Sequence, residues 1–495
     1  MSAFGWRLVY GGKTPPPGQV VRPGERLSWP RTVGLGAQHV VAMFGATFVF
    51  PVVMGLNPNL AVMMSGVATI LFLLIVNGKI PSYLGTSASF VAAVAAIRAQ
   101  GGDSESVTGA ILVAGLVLVA VGVIVHVLGG EVVQKVLPPA VTGAVVMLIG
   151  FNLAPVVANT YWPQDQWVAL LTMGFVIVAA VLFPGFWSRI AIFLGLIFGY
   201  LISWLFDRVF GQINSVLPSV GHATDHYRVD WAPVRSADWI GFPPHTSVAA
   251  DGKEVPGWML PSFHWTFILL ALPSVIALLA ENAGHVKAVS EMTRDELNPY
   301  LGRAFIGDGV GTSVASLVGG SPTTTYAENI GVMAATRIYS TAAYYVAAVV
   351  AILLGFCPKF GAIVDQTPGG VLGGITVVLY GMIGLLGAKI WVENRVDFAN
   401  PVNLVPLAAG IITGIGGVTL KFTDNFSIGG IALGTIVTLV GYHGVRWLAP
   451  PHMREEPQVA GRAYEGGAMI AAGNVETPEG EVSPYRVDDP PSGRE

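Results

Sequence analysis

From residue 32 to residue 447 the chain is a succession of apolar runs about twenty residues long, separated by short polar breaks. As a helix, a run of that length crosses the roughly 30 Å hydrocarbon core of a bilayer. Lipid offers no hydrogen bonds, so a spanning backbone must satisfy itself as a helix or a closed barrel. Runs this long and this apolar therefore predict an all-α polytopic membrane protein, with lipid as its surrounding partner. The balance of residues agrees: 53% are hydrophobic and 11% charged, against about 25% charged in soluble proteins. The net charge of -4 comes partly from acidic, polar ends. With no basic aromatic patch, nothing points to nucleic acid. Cys357 is the single cysteine, which excludes an intrachain disulfide and a cysteine metal site and reads as inert packing. No HExxH or GxSxG pattern is present, so an intramembrane enzyme is not expected.

The runs cover approximately 32–55, 59–77, 82–98, 106–129, 136–158, 165–184 and 188–207, then 263–284, 300–318, 323–337, 340–357, 370–389, 402–418 and 427–447. Fourteen spans put both termini on one side. The loops on that side hold Lys79, Lys135, Arg189, Lys287, Arg294, Arg303, Arg337, Lys389, Arg395 and Arg446, whereas the opposite short loops hold Arg98, Lys359 and Lys421. The positive-inside bias places both termini in the cytoplasm. Residues 1–31, with Pro15, Pro16 and Pro17, read as a disordered cytoplasmic arm. No cleavable leader precedes the first run, so the first span is expected to target the chain. Residues 208–262 form one large outer loop, and 448–495, low in apolar content, a disordered cytoplasmic tail. Two seven-span repeats, 32–207 and 263–447, enter the membrane with opposite topology, the inverted architecture of many secondary transporters.

The third span of each repeat is unlike its neighbours. Residues 83–90 read Tyr-Leu-Gly-Thr-Ser-Ala-Ser-Phe, and residues 321–337 open with Ser321, Pro322 and three threonines before carrying a carboxylate, Glu328. Proline and β-branched residues disfavour helix there, so both segments are expected to be extended and then helical. Short, interrupted segments at matching positions are the sequence pointer to a midplane binding site. Small residues for close helix packing explain the glycines and alanines of these segments, but not Glu328. An ionisable group at that depth costs about 2.5 to 3.5 kcal/mol and is kept where it faces a cavity or a partner. In the eighth span Glu281 and His285 are four residues apart, on one helix face. Two carboxylates and an imidazole can hold a proton in several arrangements. The competing reading is that Glu281 and His285 mark a solvated helix end beside Lys287. Three such ligands are a weak metal signal, and no metal or cofactor is expected. Gln38 and His39 in the first span, Asp308 in the ninth and Asn329 in the tenth are candidates for support of the site. For His39 the alternative is an interhelical packing bond, and for Asp308, near the start of its run, a solvated helix end.

Glu328-Asn329-Ile330-Gly331 with Thr336-Arg337 resembles the signature of the nucleobase–ascorbate transporter family. Supporting stretches are Gln38-His39 with residues 42–47, Lys79 to Gly85, and Tyr339-Ser340-Thr341; the likeness covers roughly residues 30–447. The uracil permease branch is the most similar, with Glu at the first signature position and a Glu-x-x-Gly-His pattern matched by Glu281 to His285. The resemblance implies a symporter that takes up uracil or a close pyrimidine with a proton. It implies Glu281 and Glu328 as ligands of the base, His285 as the coupling group, backbone around Ala88 and Ala327 as donors, and Tyr326 and Ala46 at the pocket. It also implies a binding core of spans one to four and eight to eleven, a gate of spans five to seven and twelve to fourteen, and a homodimer joined through the gate. Ala88 and Ala327 stand where that branch has Phe and Gly, and Phe90 is expected to replace the missing ring from two residues on. Asp308 stands where purine carriers have Asp, which keeps a xanthine or urate carrier as the alternative. A non-transporting receptor is the remote one.

Overall fold

The computed structural model describes residues 5–454 apart from 17, 218–221, 243–244, 249–253 and 424–425; the tail expected to be disordered lies mostly outside the described residues. Among them, eight helices are long and apolar enough to cross a membrane, or nine if the bent pair Thr341–Gly355 and Pro358–Asp365 counts as one span. The other described apolar helices are shorter, and proline also breaks two of the spans just counted. Pro273 at the first position of Pro273–Thr293 separates that helix from Trp265–Ala271, since proline starts a helix but cannot continue one. Pro358 likewise opens a helix that leaves Thr341–Gly355 at 83°.

The helices pack in two groups. In one, Ser104–Leu128 lies along Leu301–Leu317, and Pro58–Ile75 packs on Leu301–Leu317 and on Thr341–Gly355, which also meets Trp29–Met54. In the other, Pro139–Phe151 and Gln166–Leu182 flank Gly369–Glu393, while Pro401–Ile415 lies along Gly430–Leu448. Glycines let the backbones approach: a Cβ on Gly309 would lie 2.6 Å from the Gly115 carbonyl oxygen, and one on Gly122 2.9 Å from that of Gly302. Without a hydrophobic drive between helices in lipid, such small-residue contacts hold them together.

Two three-residue strands sit inside the first group. Leu84–Thr86 and Thr323–Thr325 pair antiparallel, with Gly85 opposite Thr324, and all six residues are buried. Threonine hydroxyls close the edges the strands leave open: Thr69 Oγ1 accepts from the Leu84 N–H at 2.9 Å, and Thr312 Oγ1 donates to the Thr323 carbonyl at 2.8 Å. Non-helical backbone at this depth is tolerated because it is enclosed in protein.

The segment 208–262 carries two antiparallel strand pairs and the short helix Ala232–Ser236. Arg228 ties it to the second group through Asp165 at 2.6 Å and Asp207 at 3.1 Å. Asn57, just beyond the end of the first helix, ties it to the first by donating to the His245 carbonyl at 2.7 Å.

At the opposite end of that helix the N-terminal arm departs from the disorder expected of it. Arg7–Leu8 pairs with Glu25–Arg26, and Val21, Leu27 and Ile338 form a small buried cluster. Two apolar residues of a proline-rich stretch, Val21 and Leu27, bury themselves against Ile338 beyond the signature helix.

Candidate functional site

The helix Pro273–Thr293 holds Glu281 and His285 one turn apart and runs on past both. They therefore sit mid-helix, and the solvated-end reading fails: the apolar run stops near Gly284, but the helix continues inside protein with polar residues. Glu281, His285 and Glu328 are each half-buried, and Ala327 is exposed. Before Glu281 the helix is buried from Ala277 to Ala280; from Glu281 onward one face is accessible at Gly284, Lys287 and Glu291. The signature helix, Ala327–Thr336, has a matching accessible face at Ala327, Gly331 and Ala335. Accessible positions thus run along both helices from the acids toward Thr293 and Arg337, the end where the N-terminal arm lies, and we take these two stripes as the candidate cleft.

The two strands fix the mouths of both interrupted segments at the deep end of this cleft. Thr325 Oγ1 meets His285 Nδ1 at 2.7 Å, and Ser89 Oγ lies 3.5 Å from a Glu281 oxygen. Glu328 and Asp308 are near enough to act electrostatically on Glu281. The signature helix starts here with no side-chain cap on its first amides, so backbone donors face the same space as the carboxylates. Ala88, half-buried, follows the first strand.

The other expected residues surround these groups or lie beyond them. The Tyr326 hydroxyl donates to the Thr86 carbonyl at 2.5 Å and accepts from Thr47 Oγ1 at 3.2 Å, so its ring braces the strands instead of reaching into the cleft. Phe90 is fully buried in the apolar core. Ala88–Phe90 is a 3-10 turn, so the alternate-residue rule that would have turned Phe90 toward the pocket does not operate. The Ala46 side chain lies outside the described residues. Asp308 is fully buried two turns into Leu301–Leu317, with Asn282 and Thr324 as its side-chain neighbours; of its two readings, the solvated helix end is the one that fails. Asn329 Nδ2 donates to the His39 carbonyl at 2.9 Å and to its Nδ1 at 3.1 Å, joining the signature helix to the first helix. His39 also packs on Tyr344, ring centres 4.4 Å apart. Gln38 is half-buried on the same helix. Among the described residues no group of three or more His, Cys, Asp or Glu side chains could hold a metal ion. Ser89, Thr325, Thr47 and Asn282 were not singled out beforehand; their only sequence signal was a hydroxyl or amide density around the interrupted segments.

Residues 30–422 match the permease family, the nucleobase–ascorbate transporters. The chain belongs to that family. It is a multi-pass membrane transporter and not an enzyme. This permease is 41% identical over 88% of its length, and 94% of the other's, to the Escherichia coli K12 protein named "Putative pyrimidine permease RutG". It is 36% identical to a uracil permease of Bacillus caldolyticus, over 82% of its own chain and 90% of the relative. In fold it is similar to the transmembrane domain of a cyanobacterial bicarbonate transporter, BicA, with a TM-score of 0.54, 14% identity and coverage of 86% of this chain and 100% of that one. Murine Slc26a9, an anion transporter solved in its inward-facing state, superposes with a TM-score of 0.59 at 10% identity, covering 85% of this permease and 68% of that chain.

Proposed function

We propose that this permease imports uracil, or a closely related pyrimidine base, together with a proton across the cytoplasmic membrane. The observation that carries the reading is the pair of half-buried carboxylates, Glu281 and Glu328, brought close to each other beside the uncapped start of the signature helix. A uracil edge alternates N–H donors with C=O acceptors, so carboxylates accept from the ring and backbone amides donate to it. The names of the pyrimidine and uracil permease relatives support the same substrate class. Asp308 and Ala88 motivated a purine carrier. Asp308 is sealed behind the second strand and does not line the cleft, which favours the pyrimidine.

A neutral base gains nothing from the membrane potential alone. One proton supplies about 2.3 kcal/mol per 100 mV, enough for roughly fortyfold accumulation at about 1.4 kcal/mol per tenfold. His285, held by Thr325, and the two acids are the groups we assign to carry that proton. The fuller architecture belongs to the same reading: fourteen spans in a seven-plus-seven inverted repeat, both termini cytoplasmic, the first packing group as core, the second as gate, and a homodimer through the gate. The cleft then opens to the cytoplasm.

The test is labelled uracil uptake into proteoliposomes under an imposed pH gradient, with xanthine as competitor. Uptake should follow the gradient, ignore xanthine, and fall at least tenfold in Glu328→Gln. Stronger competition by xanthine than by unlabelled uracil would replace the substrate, and uptake indifferent to the gradient would remove the proton.

A further inference from the structure

The cytoplasmic-side ends of the two acid-bearing helices are bound by one and the same segment. The signature helix ends at Arg337, whose backbone is left-handed with φ of 57°. Directly beyond it, Val21 bridges Ile338 in parallel: the Val21 N–H donates to the Arg337 carbonyl at 3.0 Å, and the Tyr339 N–H to the Val21 carbonyl at 2.7 Å. The Pro23 carbonyl accepts from both the N–H and the hydroxyl of Thr341, at 3.1 and 2.9 Å. Trp6 Nε1 donates to the same hydroxyl at 2.8 Å. One residue along, Arg22 pairs at 3.8 Å with Asp295, just past the end of the Glu281 helix.

The arm making these contacts is itself built. Its strands Arg7–Leu8 and Glu25–Arg26 pair, the Tyr10 hydroxyl donates to the Val20 carbonyl at 2.9 Å, and Val21 has no exposed surface. The signature helix is only ten residues long, and Glu328 stands in its first turn. Its deep end is fixed by the strand pair and by Asn329 on His39. The arm fixes its other end.

We propose that residues 6–27 are a positioning strap that sets the tilt of the signature helix, and so the placement of Glu328 against Glu281, for substrate binding. The Arg22–Asp295 pair is exposed and contributes little by itself; the backbone bridge at Val21 carries the effect. The proposal rests on the site assigned above, but part of its test needs no substrate.

Val21→Pro removes the N–H given to Arg337, whereas Val21→Ala keeps both backbone bonds. In the purified full chain without substrate, hydrogen exchange of residues 332–340 should accelerate about tenfold in Val21→Pro, the scale of one lost backbone bond, and stay within twofold of wild type in Val21→Ala. In proteoliposomes the uracil KM should rise several-fold in Val21→Pro with Vmax per inserted molecule within twofold. Should Val21→Pro fail to accumulate, Thr341→Val, which deletes the hydroxyl shared by Pro23 and Trp6, should show the same pattern at about threefold. Unchanged exchange in these variants overturns the strap, as does a fall in Vmax at constant KM, which makes the arm a part of the conformational cycle and not of binding. Accelerated exchange with no uracil uptake even in wild type leaves the strap standing and removes the substrate assignment.

Discussion

Gly85→Ala tests whether the strand pair is the rigid floor of the site. A Cβ at Gly85 would lie 2.5 Å from Thr47 Oγ1 and 2.7 Å from the Tyr326 ring, closer than any real Cβ contact. Neither neighbour can yield cheaply, because Tyr326 is held by the Thr86 carbonyl and by Thr47 itself. Overpacking of this kind costs about 1–3 kcal/mol, and pushing the phenol off its acceptor adds about 0.5–1.5 kcal/mol. A combined central figure of about 2–3 kcal/mol corresponds to roughly thirty- to over a hundredfold. Displacement of Tyr326 also moves Ala327 and Glu328, which follow it directly. Thermal unfolding of the detergent-purified protein should show the full cost of about 2–3 kcal/mol as a lower unfolding temperature, and calorimetric uracil affinity should fall several-fold, up to about a hundredfold if binding needs the unstrained floor. Gly174→Ala, with nothing within 4 Å of the added methyl, is the control and should match wild type in both. If Gly85→Ala binds and unfolds like the control, the strands are not packed against the site and the floor does not exist.

Two further perturbations address other parts of the molecule. With Cys357→Ser as background, Gly284→Cys should be labelled by a membrane-impermeant thiol reagent, because Gly284 is exposed mid-helix with no atom near its Cβ position; saturating uracil should slow labelling at least fivefold, and equal rates with and without uracil would place the base elsewhere. Arg228→Ala leaves two carboxylates, Asp165 and Asp207, facing each other with side chains only 7% and 11% exposed, and should lower unfolding stability by about 3–5 kcal/mol. Denaturation of the purified variant checks this, and a change below about 0.5 kcal/mol would mean that the triad is not a closed ion pair.

Much of the site is legible in sequence because its signals are local. Proline and a threonine run announce that residues 322–325 cannot be helix, and the four-residue spacing of Glu281 and His285 survives into the structure as one face. What escapes is directional or remote. Hydropathy leaves residues 358–365 in the break between two spans, with no sign that they form a helix turned away at 83°. Nothing local says that Leu84–Thr86 pairs with Thr323–Thr325, nor that Tyr326 turns its hydroxyl to the Thr86 carbonyl. Span ends read from apolarity stop at the lipid boundary, which is why the Glu281 helix was cut short near Gly284 and why a solvated helix end stayed open as the alternative for Asp308. The arm was misread for a related reason: burial of Val21, Leu27 and Ile338 joins residues far apart in the chain, and a window of composition averages them into a polar tail.

The strand pair also sets an order of assembly. The Tyr326 hydroxyl and its acceptor at Thr86 are separated by 240 residues. At about 5–20 residues per second, the ribosome needs roughly 12–48 s to deliver the second partner after the first. Over that interval the edge of Leu84–Thr86 waits without its ladder. Two of its polar groups are met from within the first half, the Leu84 N–H by Thr69 Oγ1 and the Thr86 hydroxyl by the Thr47 carbonyl. The strand can therefore be tethered within the first half while its ladder carbonyls and amides remain open and the helices around it lack their second-half partners. Nascent chains halted before residue 323 should be the form of this protein most dependent on insertion machinery and quality-control proteases.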